Sequence, residues 1–331
     1  MSARSTIVSI GKLLGSLRCG RLLGDRSSIW QVIAMLAAIG GIAVRSGADE
    51  PPANPPAASA AEVEGSSDTE ENPYIRITKS PEGRPAALET SIVRFHGRPG
   101  TAHEGRIVDL FGVIHIGQLD YYQEIDRRLA DYDVVLYELV APDGTRIRPE
   151  DLRQRRSLLA SVQTGMKDML NLEYQLEHIN YLAENFRHAD MSPEEFIKDM
   201  NERGDGIWKM AARMMGAGLA SQGGGGDLGL LMAMVSKDRA KMLKQTMARQ
   251  MLDVDLAIAG LDDASGENTL IKGRNRKAFE VLAEELADGK QTIAVFYGAG
   301  HLDDMAERLE ADFEMQRVSS TWLPAWDLQK N

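Results

Sequence analysis

The chain has 331 residues, of which 43% are hydrophobic and 26% are charged, as is usual for a globular protein. Its 38 basic and 49 acidic residues give a net charge of −11, which argues against a nucleic-acid-binding protein, because that class needs a basic surface. The one cysteine, Cys19, lies near the N-terminus, so the predicted folded domain has no cysteine for a disulfide, a thiolate nucleophile or a cysteine-ligated zinc site.

The first 48 residues have the pattern of an export signal. Basic residues occur throughout residues 1–28, an apolar run extends from Ile29 to Val44, and small residues follow at 46–48. The run is shorter than the roughly 20 apolar residues that span a membrane as a helix. We therefore expect 1–48 to be a signal peptide and the protein to be exported to the periplasm, the cell envelope or the medium. The alternative is an uncleaved N-terminal segment that associates with the membrane.

Residues 49–73 are rich in Pro, Ala and Glu and nearly lack large apolar side chains. Such a segment buries too little surface to offset its ordering entropy, so we predict a disordered linker. The foldable part is then 74–331, which is a usual size for one large domain.

Three apolar runs in this domain have the length of buried strands: 107–114, 133–137 and 292–297. Helical spacing from Tyr121 to Leu129 joins the first two, which predicts a β-α-β unit with a parallel pair. The other predicted elements are strands at 92–95, 186–191 and 313–319, a charged helical stretch at 149–185, and helices at 272–286 and 302–310. The pattern predicts an α/β fold with a mixed or mostly parallel central sheet flanked by helices.

A Met-rich helical insertion is predicted at about 193–260. It opens with Ser192-Pro193-Glu194-Glu195, a capping-box pattern with proline at the first helical position, and it is interrupted by Gly223–Gly226. Methionine at helical spacing usually fills a core, although a Met-rich helix is also compatible with a haem site.

Three polar residues follow the three apolar runs. His115 ends the first run, Glu138 ends the second, and His301 follows the third after a Gly-Ala-Gly turn. Ligands of parallel sheets bind beyond the carboxyl ends of the strands. Two imidazoles and a carboxylate at such an edge are a suitable set of ligands for a divalent metal. Each residue also has a simpler interpretation, such as a strand-end histidine whose hydrogen bonds are satisfied locally.

Two further positions are candidates. His188 and Asp190 are two residues apart and either extend the site or belong to a surface turn. Arg274, at the start of a helix, either binds a substrate carboxylate through two N–H groups or lies on a solvated helix face. His96, His103 and His178 look incidental.

The motifs Gly112-Val113-Ile114-His115, Tyr137-Glu138-Leu139, Gly273-Arg274-Asn275 and Gly298-Ala299-Gly300-His301-Leu302, in this order, resemble those of the TraB/PrgY/GumN family. That family is grouped with TIKI proteases and, more loosely, with erythromycin-esterase-like and ChaN-like proteins. The resemblance covers about 92–323. It implies an α/β fold and, for TIKI-like members, a metal-dependent peptidase that uses manganese or cobalt. It also implies metal or catalytic roles for His115, Glu138 and His301, and a supporting role for Arg274.

The leading functional hypothesis is a hydrolase, most simply peptidase-like, that uses a divalent metal (Mn, Co or Zn) on a peptide or small-molecule substrate. One competing hypothesis is an envelope protein that binds haem or a peptide signal without turnover. Another is an esterase that uses histidine and carboxylate without a metal.

Overall fold

The computed structural model describes residues 72–142, 144–145, 170–203, 238–252 and 266–330. The predicted signal segment, most of the predicted linker and the four consecutive glycines lie outside these ranges. Within them, no helix has both the length and the apolar character that a membrane crossing requires.

In the described residues, a mixed seven-stranded sheet forms the centre of the fold. Its strands are β1 (Ile75–Lys79), β2 (Pro85–Gly97), β3 (Ile107–Val113), β5 (Val134–Tyr137), β7 (Phe186–His188), β8 (Thr292–Gly298) and β9 (Met315–Asp327). Their order in the sheet is β1-β2-β3-β8-β5-β7, with β9 also paired to β2. The pairs β3·β8, β8·β5 and β5·β7 are parallel, whereas β2 is antiparallel to β1, β3 and β9. A separate two-stranded antiparallel ribbon pairs β4 (Ile116–Gly117) with β6 (Glu173–Tyr174).

Helices cover both faces of the sheet, and the central strands are therefore apolar on both sides. In β8, Ala294 and Phe296 contribute to one core cluster, while Ile293, Val295 and Tyr297 contribute to the other. Alternate side chains of a strand point to opposite faces, so a strand buried on both faces is a continuous apolar run. This is why the sequence pattern identified the central strands.

The helices are α1 (Leu119–Leu129), α2 (Gln175–His178), α3 (Pro193–Glu202), α4 (Arg239–Leu252), α5 (Arg274–Ala287) and α6 (Leu302–Ala311). Helices α1 and α4 pack against one face of the sheet, and α5 and α6 pack against the other. Helix α1 buries Tyr121, Tyr122, Ile125 and Leu129, which share one helical face. A π-helical turn (Thr269–Gly273) leads into α5, and a 3-10 turn (Ala299–His301) leads into α6.

The predicted capping box at the start of α3 is confirmed. The Ser192 side chain accepts a hydrogen bond from the Glu195 backbone N–H at 3.1 Å, and the Glu195 carboxylate accepts one from the Ser192 N–H at 2.7 Å. The described parts of the Met-rich insertion are helical. Met200 is buried, and Met242, Met247 and Met251 pack against the core, as core-filling methionines do.

Several predicted elements need correction. The predicted parallel pair is not adjacent, because β8 lies between β3 and β5 and pairs with both. The predicted strand at 92–95 is the end of the longer β2, β1 precedes it, and the last strand runs to Asp327 rather than Ser319. Of the charged stretch predicted to be helical at 149–185, residues 149–169 lie outside the described residues. From Asn171 to Asn185 the described part contains β6 and the single-turn α2.

The fold also begins slightly before the predicted boundary. Asn72 accepts hydrogen bonds from the backbone N–H groups of Tyr74 and Ile75, and the Pro73 carbonyl accepts one from Ser91. The last two residues of the predicted linker therefore belong to the folded part.

Candidate functional site

The three predicted ligands follow three adjacent parallel strands. His115 lies just beyond β3, Glu138 directly follows β5, and His301 ends the 3-10 turn after β8. These strands are neighbours in the order β3-β8-β5 and run parallel, so their carboxyl ends lie at the same edge of the sheet. The corrected strand order thus places His301 between the other two segments.

The side chains converge on Gly298, the last residue of β8. A methyl group at this position would lie 3.4 Å from Glu138 Oε2, 3.7 Å from His301 Cδ2 and 3.8 Å from His115 Nε2. His301 Nε2 lies 3.7 Å from Glu138 Oε1. The absence of a side chain on Gly298 therefore leaves a small space that all three residues border.

His115, Glu138 and His301 do not each place one ligand atom within 4.8 Å of the other two residues' ligand atoms. Among the described residues, the group that meets this distance is Glu173, Glu177 and His178, on β6 and α2. These side chains could hold a metal ion. His178 Nε2 lies 3.1 Å from the Glu173 carboxylate, and the His178 ring stacks on Tyr122. From the sequence His178 looked incidental, and its spacing from Glu173 and Glu177 is the signal that marks it as a candidate ligand.

Glu138 is held in its ionised form. Burial by itself raises the pKa of its carboxyl, and the guanidinium of Arg274 is the strongest opposing influence. The imidazoles of His301 and His115 lower this pKa further, as does a hydrogen bond of 2.7 Å from the Gly298 N–H. The net result is a pKa below the usual glutamate range, so the site carries a permanent carboxylate at neutral pH.

Arg274 joins Glu138 to Asp190. Its Nη2 lies 2.7 Å from Glu138 Oε1 and 2.6 Å from Asp190 Oδ2, and its Nε donates to Asp190 Oδ1 at 3.0 Å. The remaining nitrogen, Nη1, faces the Leu270 carbonyl at 3.5 Å. No pair of adjacent N–H groups is left for a substrate carboxylate, so in this arrangement Arg274 orients Glu138.

The predicted pair His188 and Asp190 has different hydrogen-bond partners in the structure. Asp190 is fully buried and reaches the site through Arg274. His188 ends β7, and its Nε2 instead lies 2.6 Å from the backbone carbonyl of Leu139. Of the two, Asp190 bonds to Arg274, and both line the cavity beside the site.

His301 is buried and neutral. Burial lowers its pKa from 6.5 to about 4, although Glu138 partly opposes this. Its Nδ1 lies 2.6 Å from Asn275 Oδ1, and Asn275 Nδ2 donates to the His301 carbonyl and to Asp304. The imidazole is thus fixed from the side opposite to Glu138.

His115 is the solvent-exposed member of the site. Its Nδ1 lies 3.0 Å from Gln175 Oε1, and its backbone carbonyl accepts a hydrogen bond from the Gln175 N–H. Gln175 Nε2 in turn donates to the Tyr181 hydroxyl at 2.8 Å. Neither Gln175 nor Asn275 was identified as a site residue from the sequence, because a lone amide has no recognisable spacing relative to a histidine.

A cavity of about 400 Å³ opens beside this cluster, on the side of Asp190. Tyr137, Tyr181 and Phe186 give it an aromatic wall, and Lys277 also lines it. Small-molecule sites commonly combine such apolar walls with a few polar groups.

The chain was compared with protein-family models, with curated proteins and with solved structures, and nothing in these three sets matches it.

Proposed function

We propose that this protein is a metal-dependent hydrolase that cleaves peptide-like amide bonds. The proposal depends on one observation, the convergence of His115, Glu138 and His301 on Gly298 at the carboxyl edge of the sheet. It agrees with the resemblance to TIKI-like members of the TraB/PrgY/GumN family. With the N-terminal export pattern, the proposal includes that this activity occurs in the cell envelope or outside the cell.

The donor atoms suit zinc, manganese or cobalt, which bind imidazole nitrogen and carboxylate oxygen. Two ligands of a tetrahedral zinc ion, each about 2.0–2.2 Å from it, are roughly 3.3–3.6 Å apart. The 3.7 Å between His301 Nε2 and Glu138 Oε1 is close to this separation. His115 has to come closer to complete the set, and its exposed position at the strand end gives it room to do so.

The protein's own groups supply charge and orientation for hydrolysis. The Glu138 carboxylate stays ionised, and His301 stays neutral at any pH above about 4, so both keep lone pairs available. Arg274 bonds directly to this carboxylate and is itself held by Asp190. A divalent ion held by these side chains would supply Lewis acidity and a water with a pKa of about 7. The net reaction adds water across the amide, breaking the C–N bond and leaving a carboxylate and an amine.

The test is hydrolysis of fluorogenic peptides by the full chain, freed of metal and then supplied with Mn²⁺, Co²⁺ or Zn²⁺. We expect metal-dependent cleavage that a His115→Ala, His301→Ala double variant loses. Full activity in the double variant would refute the assignment of the site. Peptide cleavage that persists in chelator would instead favour hydrolysis by histidine and carboxylate without a metal. Absence of cleavage with every metal and peptide would count against the peptidase proposal.

The group formed by Glu173, Glu177 and His178 provides a matched control, because it could also hold a metal ion. A His178→Ala variant should keep the wild-type rate. If this variant loses activity and the double variant keeps it, the catalytic metal belongs to β6 and α2 instead.

A further inference from the structure

Each histidine of the site is hydrogen-bonded through Nδ1 to the oxygen of a buried side-chain amide. His115 Nδ1 faces Gln175 Oε1 at 3.0 Å, and His301 Nδ1 faces Asn275 Oδ1 at 2.6 Å. The two amides come from distant parts of the chain, α2 and the first turn of α5, and both are almost inaccessible to solvent.

The orientation of the Asn275 amide is determined by its surroundings. Its Nδ2 faces two groups that can only accept, the His301 carbonyl at 3.0 Å and the Asp304 carboxylate at 2.8 Å. Rotating the amide by 180° would place its oxygen next to the oxygens of the His301 carbonyl and the Asp304 carboxylate, where no hydrogen bond can form. The Asn275 oxygen must therefore face His301, and because this oxygen can only accept, His301 Nδ1 must carry a proton.

Gln175 forms the corresponding contact with His115. Its Nε2 faces the Tyr181 hydroxyl at 2.8 Å, and in this orientation Oε1 accepts from His115 Nδ1. Because a hydroxyl can also donate, the orientation of Gln175 is part of the proposal, whereas that of Asn275 is determined by its neighbours. The backbone N–H of the same residue also bonds to the His115 carbonyl at 3.1 Å. One residue thus holds both the main chain and the ring of His115.

We propose that Gln175 and Asn275 are positioning residues that impose one tautomer on both histidines, with the proton on Nδ1 and the lone pair on Nε2. The consequence concerns the space beside Gly298, which His115 Nε2 borders, while His301 Nε2 faces Glu138 Oε1 at 3.7 Å. The opposite tautomer would direct N–H groups into that space and leave no imidazole lone pair for a cation. The assignment extends the proposed function, but the tautomers are observable without metal or turnover.

The experiment is nitrogen–proton correlation NMR of the metal-free full chain labelled with ¹⁵N-histidine. The spectra are recorded at about pH 8, where histidine with an ordinary pKa of about 6.5 is neutral. The chain has six histidines, and His115→Gln and His301→Gln variants identify the two relevant signals. We expect both histidines to be protonated on Nδ1, and an Nε2–H signature at either would overturn the proposal for that residue.

Substitution of Gln175 separates positioning from a general structural role. Gln175→Leu removes the acceptor and should release His115 from the Nδ1–H form without changing His301, whereas Gln175→Glu keeps an acceptor and should preserve the wild-type signal. Gln245→Leu removes an amide bonded to the Leu328 carbonyl and should change neither histidine. An unchanged His115 in Gln175→Leu would contradict the proposal.

Measuring metal affinity tests the positioning role separately from the proposed hydrolase function. Loss of a hydrogen-bond partner behind a ligating histidine typically weakens metal binding by about 10–100-fold. We expect such a loss for Mn²⁺ binding in Gln175→Leu and recovery in Gln175→Glu. Correct tautomers with no metal binding in the wild type would contradict the proposed function while leaving the positioning role intact.

Discussion

Replacing Arg274 by methionine tests the charge balance on which the site depends. Methionine retains most of the length of the arginine side chain but removes the guanidinium between Glu138 and Asp190. These two carboxylates have side-chain exposures of 12% and 0%, and Arg274 itself is 12% exposed. The variant therefore leaves two carboxylates with little solvent and without their shared cation.

The expected cost is large. Removing one partner of a buried ion pair typically destabilises a protein by about 3–5 kcal/mol, because the remaining charge is not compensated. For a domain of this size, each kcal/mol corresponds to roughly 2–4 °C in Tm. Arg274→Met should therefore lower Tm by about 6–20 °C at neutral pH.

The pH dependence identifies the cause. In the wild type, the lowered pKa of Glu138 stabilises the fold above the unfolded-state pKa near 4.5, and this contribution is lost as the pH falls through the folded-state value. In Arg274→Met, burial opposes the ionised form, so the carboxylate destabilises the fold at neutral pH and protonation in acid relieves the penalty. The difference in stability between the two proteins should thus be largest near neutral pH and should shrink below about pH 5.

The assays are thermal unfolding, which gives Tm, and urea unfolding, which gives the free energy of unfolding, for both proteins across this pH range. Arg127→Met is a matched control, because Arg127 also makes two hydrogen bonds to one carboxylate, Glu124, but is 62% exposed. It should leave Tm unchanged. A wild-type Tm for Arg274→Met, or a destabilisation that stays constant from neutral to acid pH, would refute the reasoning.

Three further outcomes follow from the same geometry. Gly298→Ala should lower the rate of peptide hydrolysis by roughly 100-fold, because its methyl group occupies the space between the three side chains. Calorimetry should find the free energy of unfolding changed by less than about 1 kcal/mol, because the backbone conformation at this position suits alanine. Gly112→Ala is the converse case: its methyl group would lie 2.8 Å from Leu302 Cδ2, and we expect a loss of about 1–3 kcal/mol in urea unfolding. Because burial lowers the His301 pKa to about 4, the unfolded chain binds a proton there that the folded chain does not, so stability should fall by about 3 kcal/mol between pH 6.5 and 4. His301→Gln should remove this part of the acid sensitivity, and an identical pH profile for this variant would contradict the assignment.

The elements that the sequence identified are those whose pattern is local. The central strands β3, β5 and β8 are apolar runs because helices cover both faces, and each is followed by one of the polar residues that meet at the sheet edge. Helix α1 and the Ser192 cap likewise depend on spacings within a few residues.

What the sequence did not predict depends on pairing or on distant contacts. The position of β8 between β3 and β5 is set by the assembly of the sheet, and no local pattern encodes it. The missed end of β9 contains Pro324, which lies at a register shift in its pairing with β2, and the next two residues, Ala325 and Trp326, are both buried, so this part lacks the alternation by which strands are recognised. Gln175 and Asn275 reach the site through single hydrogen bonds.

The most direct test of the shared site is anomalous X-ray scattering from crystals of the full chain soaked in Mn²⁺. The proposed function predicts one strong peak bordered by His115 Nε2, His301 Nε2 and the Glu138 carboxylate, beside Gly298. A peak only between Glu173, Glu177 and His178, or no peak near the carboxyl edge of the sheet, would contradict it.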